Sequence, residues 1–167
     1  MQVPTVPMIT RFIEILFAVI ILSVYYGTDT LFKVKGYSDT TTNPDDCKYA
    51  GDNFGQFVMI GGLVLGIVMT GVTMLLEKSK IFAMAIVVYN VAWFVFYLSA
   101  AILILNYWSG NSDDENWDNF CTNEIANGDA DKLKKMKNGG LTIGSFMLFQ
   151  DVLLLINTGF VFMAAKD

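Results

Sequence analysis

The sequence predicts an all-α membrane protein, a four-transmembrane-helix bundle with two larger extracellular loops and cytosolic termini. Of its 167 residues, 54% are hydrophobic and 16% are charged, whereas a soluble domain carries about 25% charged residues. The apolar residues gather in four long stretches, each of which can cross the roughly 30 Å hydrocarbon core of a bilayer. These observations indicate one multi-pass domain over residues 1–167.

The four predicted helices cover about 8–26, 54–76, 81–108 and 141–165. The runs are too long and too evenly apolar for the alternating strands of a membrane barrel, so helices are the way left to satisfy backbone groups in lipid. The first should act as an uncleaved anchor, because it is too long for the apolar region of a signal peptide and lacks a small-residue cleavage site.

The connections predict the topology. Only Glu77-Lys78-Ser79-Lys80 joins the second and third helices, so these form a tight hairpin, and the long polar connections lie on the side opposite the termini. Lysine and arginine are denser in the short segments but more numerous in the long loops. The positive-inside rule therefore gives conflicting orientations. Within the second long loop, residues 129–137 predict a short amphipathic helix that lies either on lipid headgroups or in solvent.

One cysteine in each long loop, Cys47 and Cys121, resolves the orientation. The pair is placed for a disulfide between the loops, and such a bond persists only in an oxidising compartment. We therefore predict a plasma-membrane protein with its long loops outside and its termini in the cytosol. Two unrelated free thiols are the alternative.

Asp151 lies near the middle of the fourth apolar stretch, where a charge costs at least ~2.5–3.5 kcal/mol. The helical rise places Asn90 at a similar depth, and no basic residue is expected there. We predict a protonated Asp151 that is hydrogen-bonded to Asn90, a tyrosine or a backbone carbonyl. Ion or proton handling and contact with another subunit are the alternatives. On this prediction, Asp151→Leu should disturb packing more than Asp151→Asn.

Further polar residues lie within the apolar stretches. Gln150 is beside Asp151, and Asn157 is about two turns further along. Arg11 is expected at the cytosolic edge of the first helix, where it can pair with Glu14 at the i, i+3 spacing. A conduction pathway should show several ionisable groups at successive depths, and only Glu14 and Asp151 are found.

Two glycine pairs predict close helix contacts. They are Gly62-x-x-x-Gly66 in the second helix and Gly140-x-x-x-Gly144 at the start of the fourth. Small residues at this spacing let two helix backbones approach closely. The partner helix is either in the same bundle, which we favour, or in another protein.

The composition argues against several classes of function. The chain has no histidine, the commonest general base and metal ligand near neutral pH. No motif supports another nucleophile–base pair, and two cysteines are too few for a structural zinc site. There is no phosphate-binding glycine loop and no basic patch suited to nucleic acid. We therefore expect no enzyme, no cofactor and no nucleic-acid partner.

The layout and several short motifs resemble MARVEL-type tetraspan proteins. The motifs are Arg11-Phe-Ile-Glu14, Gly61-Gly62-Leu-Val-Leu-Gly66 and an acidic residue, Asp151, in the fourth helix. The end of the third helix, Asn106-Tyr107-Trp108-Ser109-Gly110, together with the Leu148-Phe-Gln-Asp151 stretch, is similar to small tetraspans of arthropod smooth septate junctions, the Snakeskin type. The resemblance implies a role in organising membrane apposition, junctions or vesicle trafficking, without catalysis.

Three functions are therefore considered. The first is a non-catalytic structural tetraspan that assembles laterally and through its outer loops, at cell junctions or membrane subdomains, with lipids, further copies of itself or other membrane proteins as partners. The second is an auxiliary subunit of a channel, transporter or larger membrane complex. The third is a small proton or ion conductor that uses Asp151.

Overall fold

A computed structural model describes residues 5–28, 30, 52–76, 79–109 and 130–164. Its helices are α1 (Thr5–Thr28), α2 (Asp52–Met74), α3 (Lys80–Trp108) and α4 (Ala130–Ala164). Each contains a span long and apolar enough to cross a membrane. The described part of the chain is thus all-helical, as predicted, and its four spans indicate a multi-pass membrane protein.

The helices form a ring in which each packs against its neighbours in the chain and α4 closes on α1. Successive helices are antiparallel. Gln56, early in α2, donates to the hydroxyl of Tyr25, late in α1, at 3.2 Å. Asn157, late in α4, donates to the carbonyl oxygen of Pro7, early in α1, at 3.1 Å. α1 therefore begins and α4 ends at the same end of the bundle, which we call the terminal end.

The bounds of α1, α2 and α3 lie close to the predicted ones, but α4 begins at Ala130 instead of near residue 141. The amphipathic segment 129–137 was predicted as a separate helix; from Ala130 onward it is the first part of α4. The prediction placed Gly140 at the start of the fourth helix and Gly139 just before it. In the structure they lie within the helix, where a Cβ at Gly139 would overlap the hydroxyls of Thr28 and Thr30.

The core of the bundle is rich in aromatic side chains. α3 supplies more of it than any other helix, because its inward face repeats bulky and small residues at helical spacing. Its buried residues include Trp93, Tyr97, Ala100, Ala101, Ile104 and Trp108. The indole of Trp93 donates to the carbonyl oxygen of Val58 on α2 at 3.3 Å. Tyr89 stacks on Trp93 with ring centroids 5.3 Å apart.

The outer surface of the bundle is apolar on every helix. Large hydrophobic side chains face outward at helical spacing along α1, α2, α3 and α4, among them Phe12, Leu16, Val64, Ile67, Met84, Val88, Phe149 and Val152. A soluble domain rarely exposes a contiguous apolar surface of this extent. The distribution is the one expected where the outward faces meet lipid, because lipid tails are as apolar as these side chains.

Three of the four glycines in the predicted contact motifs lie against the chain's own helices. A Cβ at Gly62 would overlap the Tyr97 hydroxyl, and one at Gly144 would lie 2.6 Å from Cδ2 of Leu105. A Cβ at Gly140 would overlap the Trp108 ring and lie 2.7 Å from its Nε1. Gly66 differs, since a Cβ there would meet Tyr89 at an ordinary 3.6 Å.

The two long connections carry the cysteines of the predicted disulfide. Cys47 and Cys121 both lie outside the described residues, so the predicted disulfide stays a prediction. The predicted position of the long loops on the outer side of the membrane also stays a prediction.

Gly140→Ala should destabilise the bundle, because the rigid Trp108 ring has to move to admit the methyl group. Forced overpacking of this kind costs about 1–3 kcal/mol, so the midpoint of thermal unfolding in detergent should fall. Gly159→Ala is the matched control on the same helix, because nothing lies within 4 Å of its added Cβ. Equal midpoints for the two variants would show that the α3–α4 contact does not depend on Gly140.

Candidate functional site

A cluster of polar side chains lies inside the bundle towards its terminal end. α1 supplies Thr10, Arg11 and Glu14 from its second and third turns, and all three are buried. The other members come from α3 and α4, so the cluster joins three helices. We call it the polar cluster: Thr10, Arg11, Glu14, Asn90, Gln150, Asn157 and Thr158.

The guanidinium of Arg11 is the centre of the polar cluster. Its side chain has no exposed surface, and its Nη1 donates to Oε2 of Glu14 at 2.5 Å. Its Nη2 donates to Oδ1 of Asn90 on α3 and, at 3.4 Å, to Oδ1 of Asn157 on α4. The guanidinium carbon also lies 4.9 Å from the ring centroid of Tyr89, within the range of a cation–π contact. One side chain thus connects α1, α3 and α4.

The two asparagines extend this connection. Asn90 Nδ2 donates to Oδ1 of Asn157 at 3.0 Å and to Oγ1 of Thr158 at 2.9 Å. Asn157 Nδ2 donates to Oγ1 of Thr10 at 2.6 Å as well as to the Pro7 carbonyl oxygen. Each amide therefore uses both its donor and its acceptor side, as buried amides need to.

Gln150 makes the next contact along α4. It is buried, and its Nε2 donates to the backbone carbonyl oxygen of Glu14 at 2.7 Å. α2 adds only its backbone here: the hydroxyl of Tyr89 donates to the carbonyl oxygen of Gly62 at 3.4 Å.

Asp151 lies outside this network. Its side chain is 5% exposed, and neither of its carboxyl oxygens has a hydrogen-bond partner. Seven residues separate it from Thr158, which places both on the face of α4 that is turned towards α3. Thr158 bonds to Asn90 there, whereas Asp151 lies about two turns further from the terminal end.

The predicted bond between Asp151 and Asn90 is therefore wrong. Asn90 meets Arg11, Asn157 and Thr158 instead. The expectation that no basic group lies in the layer of Asn90 is also wrong. Because α1 begins at Thr5, Arg11 is about 9 Å along the helix, and its long side chain reaches into the bundle from there.

Other predictions for these residues hold. The Arg11–Glu14 pair forms at the i, i+3 spacing. Gln150 and Asn157 both face inward. Sequence reasoning missed Thr10 and Thr158, because threonine is common in membrane helices and usually bonds to its own backbone, as Thr158 also does to the Leu154 carbonyl oxygen at 2.8 Å.

The arrangement of the polar cluster can stabilise the contacts between helices. The described bonds of the polar cluster join side chains to one another or to backbone carbonyl oxygens of the same chain. Within the helices and short flanking segments that are described, no group of three or more histidine, cysteine, aspartate or glutamate residues could hold a metal ion.

Comparison with known proteins gives no relative. No protein-family model matches the chain, and no curated protein or solved structure matches it significantly. The resemblance to MARVEL-type tetraspans therefore stays a prediction.

Asp151→Leu should stabilise the bundle relative to Asp151→Asn, the reverse of the order expected from the sequence. A buried polar group without a partner costs about 1–3 kcal/mol, and leucine removes that cost whereas asparagine keeps most of it. Thermal unfolding in detergent measures the order.

Gln150→Leu is the neighbouring control for this comparison. It removes the bond to the Glu14 carbonyl oxygen and should lower the midpoint. A midpoint for Asp151→Leu below that of Asp151→Asn would mean that the carboxyl makes a stabilising hydrogen bond.

Proposed function

We propose that the protein is a non-catalytic structural tetraspan of the plasma membrane. It assembles laterally with copies of itself or with other membrane proteins and presents its two long loops to partners at cell junctions or membrane subdomains. The observation that carries the proposal is the division of the bundle into a polar interior bonded within the chain and an apolar outer surface.

The first support for the proposal is that the buried polar groups bond to one another within the chain. Arg11, Asn90 and Asn157 bond to one another across three helices. An arrangement of the helices that separates these groups is unfavourable, because it leaves a buried charge uncompensated. The bundle has its own source of cohesion, and its outward faces are left for association.

The second support for the proposal is that the outward faces of the helices form continuous apolar stripes. On α2 an apolar stripe follows helical spacing over Phe57, Ile60, Val64, Ile67 and Val68. On α3 a similar stripe follows Ile81, Met84, Val88, Val91 and Val95. Faces of this kind pack against lipid or against a neighbouring helix bundle through van der Waals contact.

The long connections supply the second kind of surface. Residues 29–51 and 109–129 carry most of the acidic residues of the chain, and a charged surface steers and orients an encounter with a partner. With Cys47 and Cys121 joined in an oxidising compartment, these loops lie outside the cell and the termini lie in the cytosol. The MARVEL-type resemblance, including its Snakeskin-type motif, supports a junctional setting.

Site-specific photo-crosslinking in native membranes tests lateral assembly. Benzoylphenylalanine replaces Phe12, Phe57 or Phe149, which are exposed on three different helices. At least one position should give crosslinks to a second copy or to a junctional membrane protein, identified by mass spectrometry. The matched control is Trp108, which is 2% exposed and lies against α4, and crosslinks from there should stay within the chain.

Two outcomes would favour the other functions. Stoichiometric crosslinking to a channel or transporter supports an auxiliary subunit. The unpartnered carboxyl of Asp151 is the specific observation in favour of a small proton or ion conductor. For that candidate, purified protein in liposomes should carry a flux that Asp151→Asn abolishes, and the absence of flux in the wild type removes it.

A further inference from the structure

We propose that the bundle binds one buried water molecule that donates hydrogen bonds to the side-chain oxygens of Glu14 and Gln150. The site is a cavity of about 10 Å³ beside the polar cluster, close to the smallest volume that holds a water. Its lining comes from all four helices, and the residues that matter are Glu14, Gly62, Gly66, Tyr89, Tyr97 and Gln150.

Two buried oxygen atoms of lining residues require a donor. Glu14 uses Oε2 for the ion pair with Arg11, while its Oε1 has no partner. Gln150 uses its amide nitrogen for the Glu14 carbonyl oxygen, while its Oε1 has no partner. Leaving such acceptors dry is unfavourable, because each gives up its hydrogen bonds to water on burial and gains none in return.

The chemistry of the lining selects water over a cation. The two acceptors need a ligand that donates two hydrogen bonds, and the hydroxyl of Tyr97 can donate to its oxygen. A water donates both bonds and accepts the third, and buried waters typically make about three hydrogen bonds. Arg11 already neutralises the carboxylate of Glu14, so a cation would leave an uncompensated positive charge in an apolar bundle.

Gly66 lines the cavity, and Gly66→Ala tests whether the cavity holds a water. An added Cβ would lie 3.6 Å from the Tyr89 hydroxyl and 3.9 Å from Cγ1 of Ile15, so alanine fits without a clash. Its methyl group would take up space that the water needs. Gly71 is the matched control on the same helix, because nothing lies within 4 Å of its added Cβ, and both substitutions gain the same helix propensity.

Thermal unfolding of the two variants in detergent gives opposite results for a wet and a dry cavity. If the water is present, Gly66→Ala should melt about 2–4 °C below Gly71→Ala, as expected when one or two hydrogen bonds are lost in a chain of this size. If the cavity is dry, filling it improves packing, and a midpoint for Gly66→Ala at or above that of Gly71→Ala overturns the proposal.

A second measurement detects the water directly. In lipid bilayers, magnetisation transfer from water protons should reach the side-chain amide of Gln150 in the wild type and be lost in Gly66→Ala. No transfer in the wild type overturns the proposal. So does a wild-type midpoint that rises when N-methylglucamine is replaced by sodium or potassium at constant ionic strength, because that result identifies a cation site.

Discussion

The buried guanidinium of Arg11 is the constraint on which the described arrangement depends. A positive charge among apolar helices is tolerated only when it is paired and hydrogen-bonded, and its partners here come from Glu14, Asn90 and Asn157. Meeting that requirement fixes the depth and rotation of α1, α3 and α4 relative to one another. Association between membrane helices has little hydrophobic driving force of its own, so such directional contacts carry unusual weight.

Outside the polar cluster, the helices are positioned mainly by the steric fit of glycines against large side chains. Towards the other end, α4 approaches α3 closely because Gly140 and Gly144 leave room for Trp108 and Leu105. α2 has no side chain in the polar cluster; it is held through the fit of Gly62 to Trp93 and Tyr97 and the bond from Trp93 to Val58. The polar cluster specifies one end of the bundle, and steric fit, together with single bonds such as that from Gln56 to Tyr25, specifies the remainder.

The class of protein and the membrane-spanning segments could be predicted from the sequence, because length and apolar composition determine which segments can cross a bilayer. The first part of α4 was missed as part of that helix, because its polar residues 130–140 lie outside the apolar stretch. The Arg11–Glu14 pair followed from local helical spacing. The partner of Asn90 could not be predicted, because depth estimates count residues from assumed helix ends and ignore rotation and side-chain reach. The long arginine side chain and an earlier start of α1 were enough to bring a charge to a layer that had been expected to hold none.

The stability of Arg11→Met tests the central role of the guanidinium most directly. Its removal strands Glu14 and two buried amides and should lower the free energy of unfolding by about 3 kcal/mol or more. The double variant Arg11→Met/Glu14→Met should recover part of that loss, because no charge is left unpaired. Leu16→Met, on the exposed face of α1, is the control and should change little. If Arg11→Met costs no more than Leu16→Met, the guanidinium does not hold the bundle together.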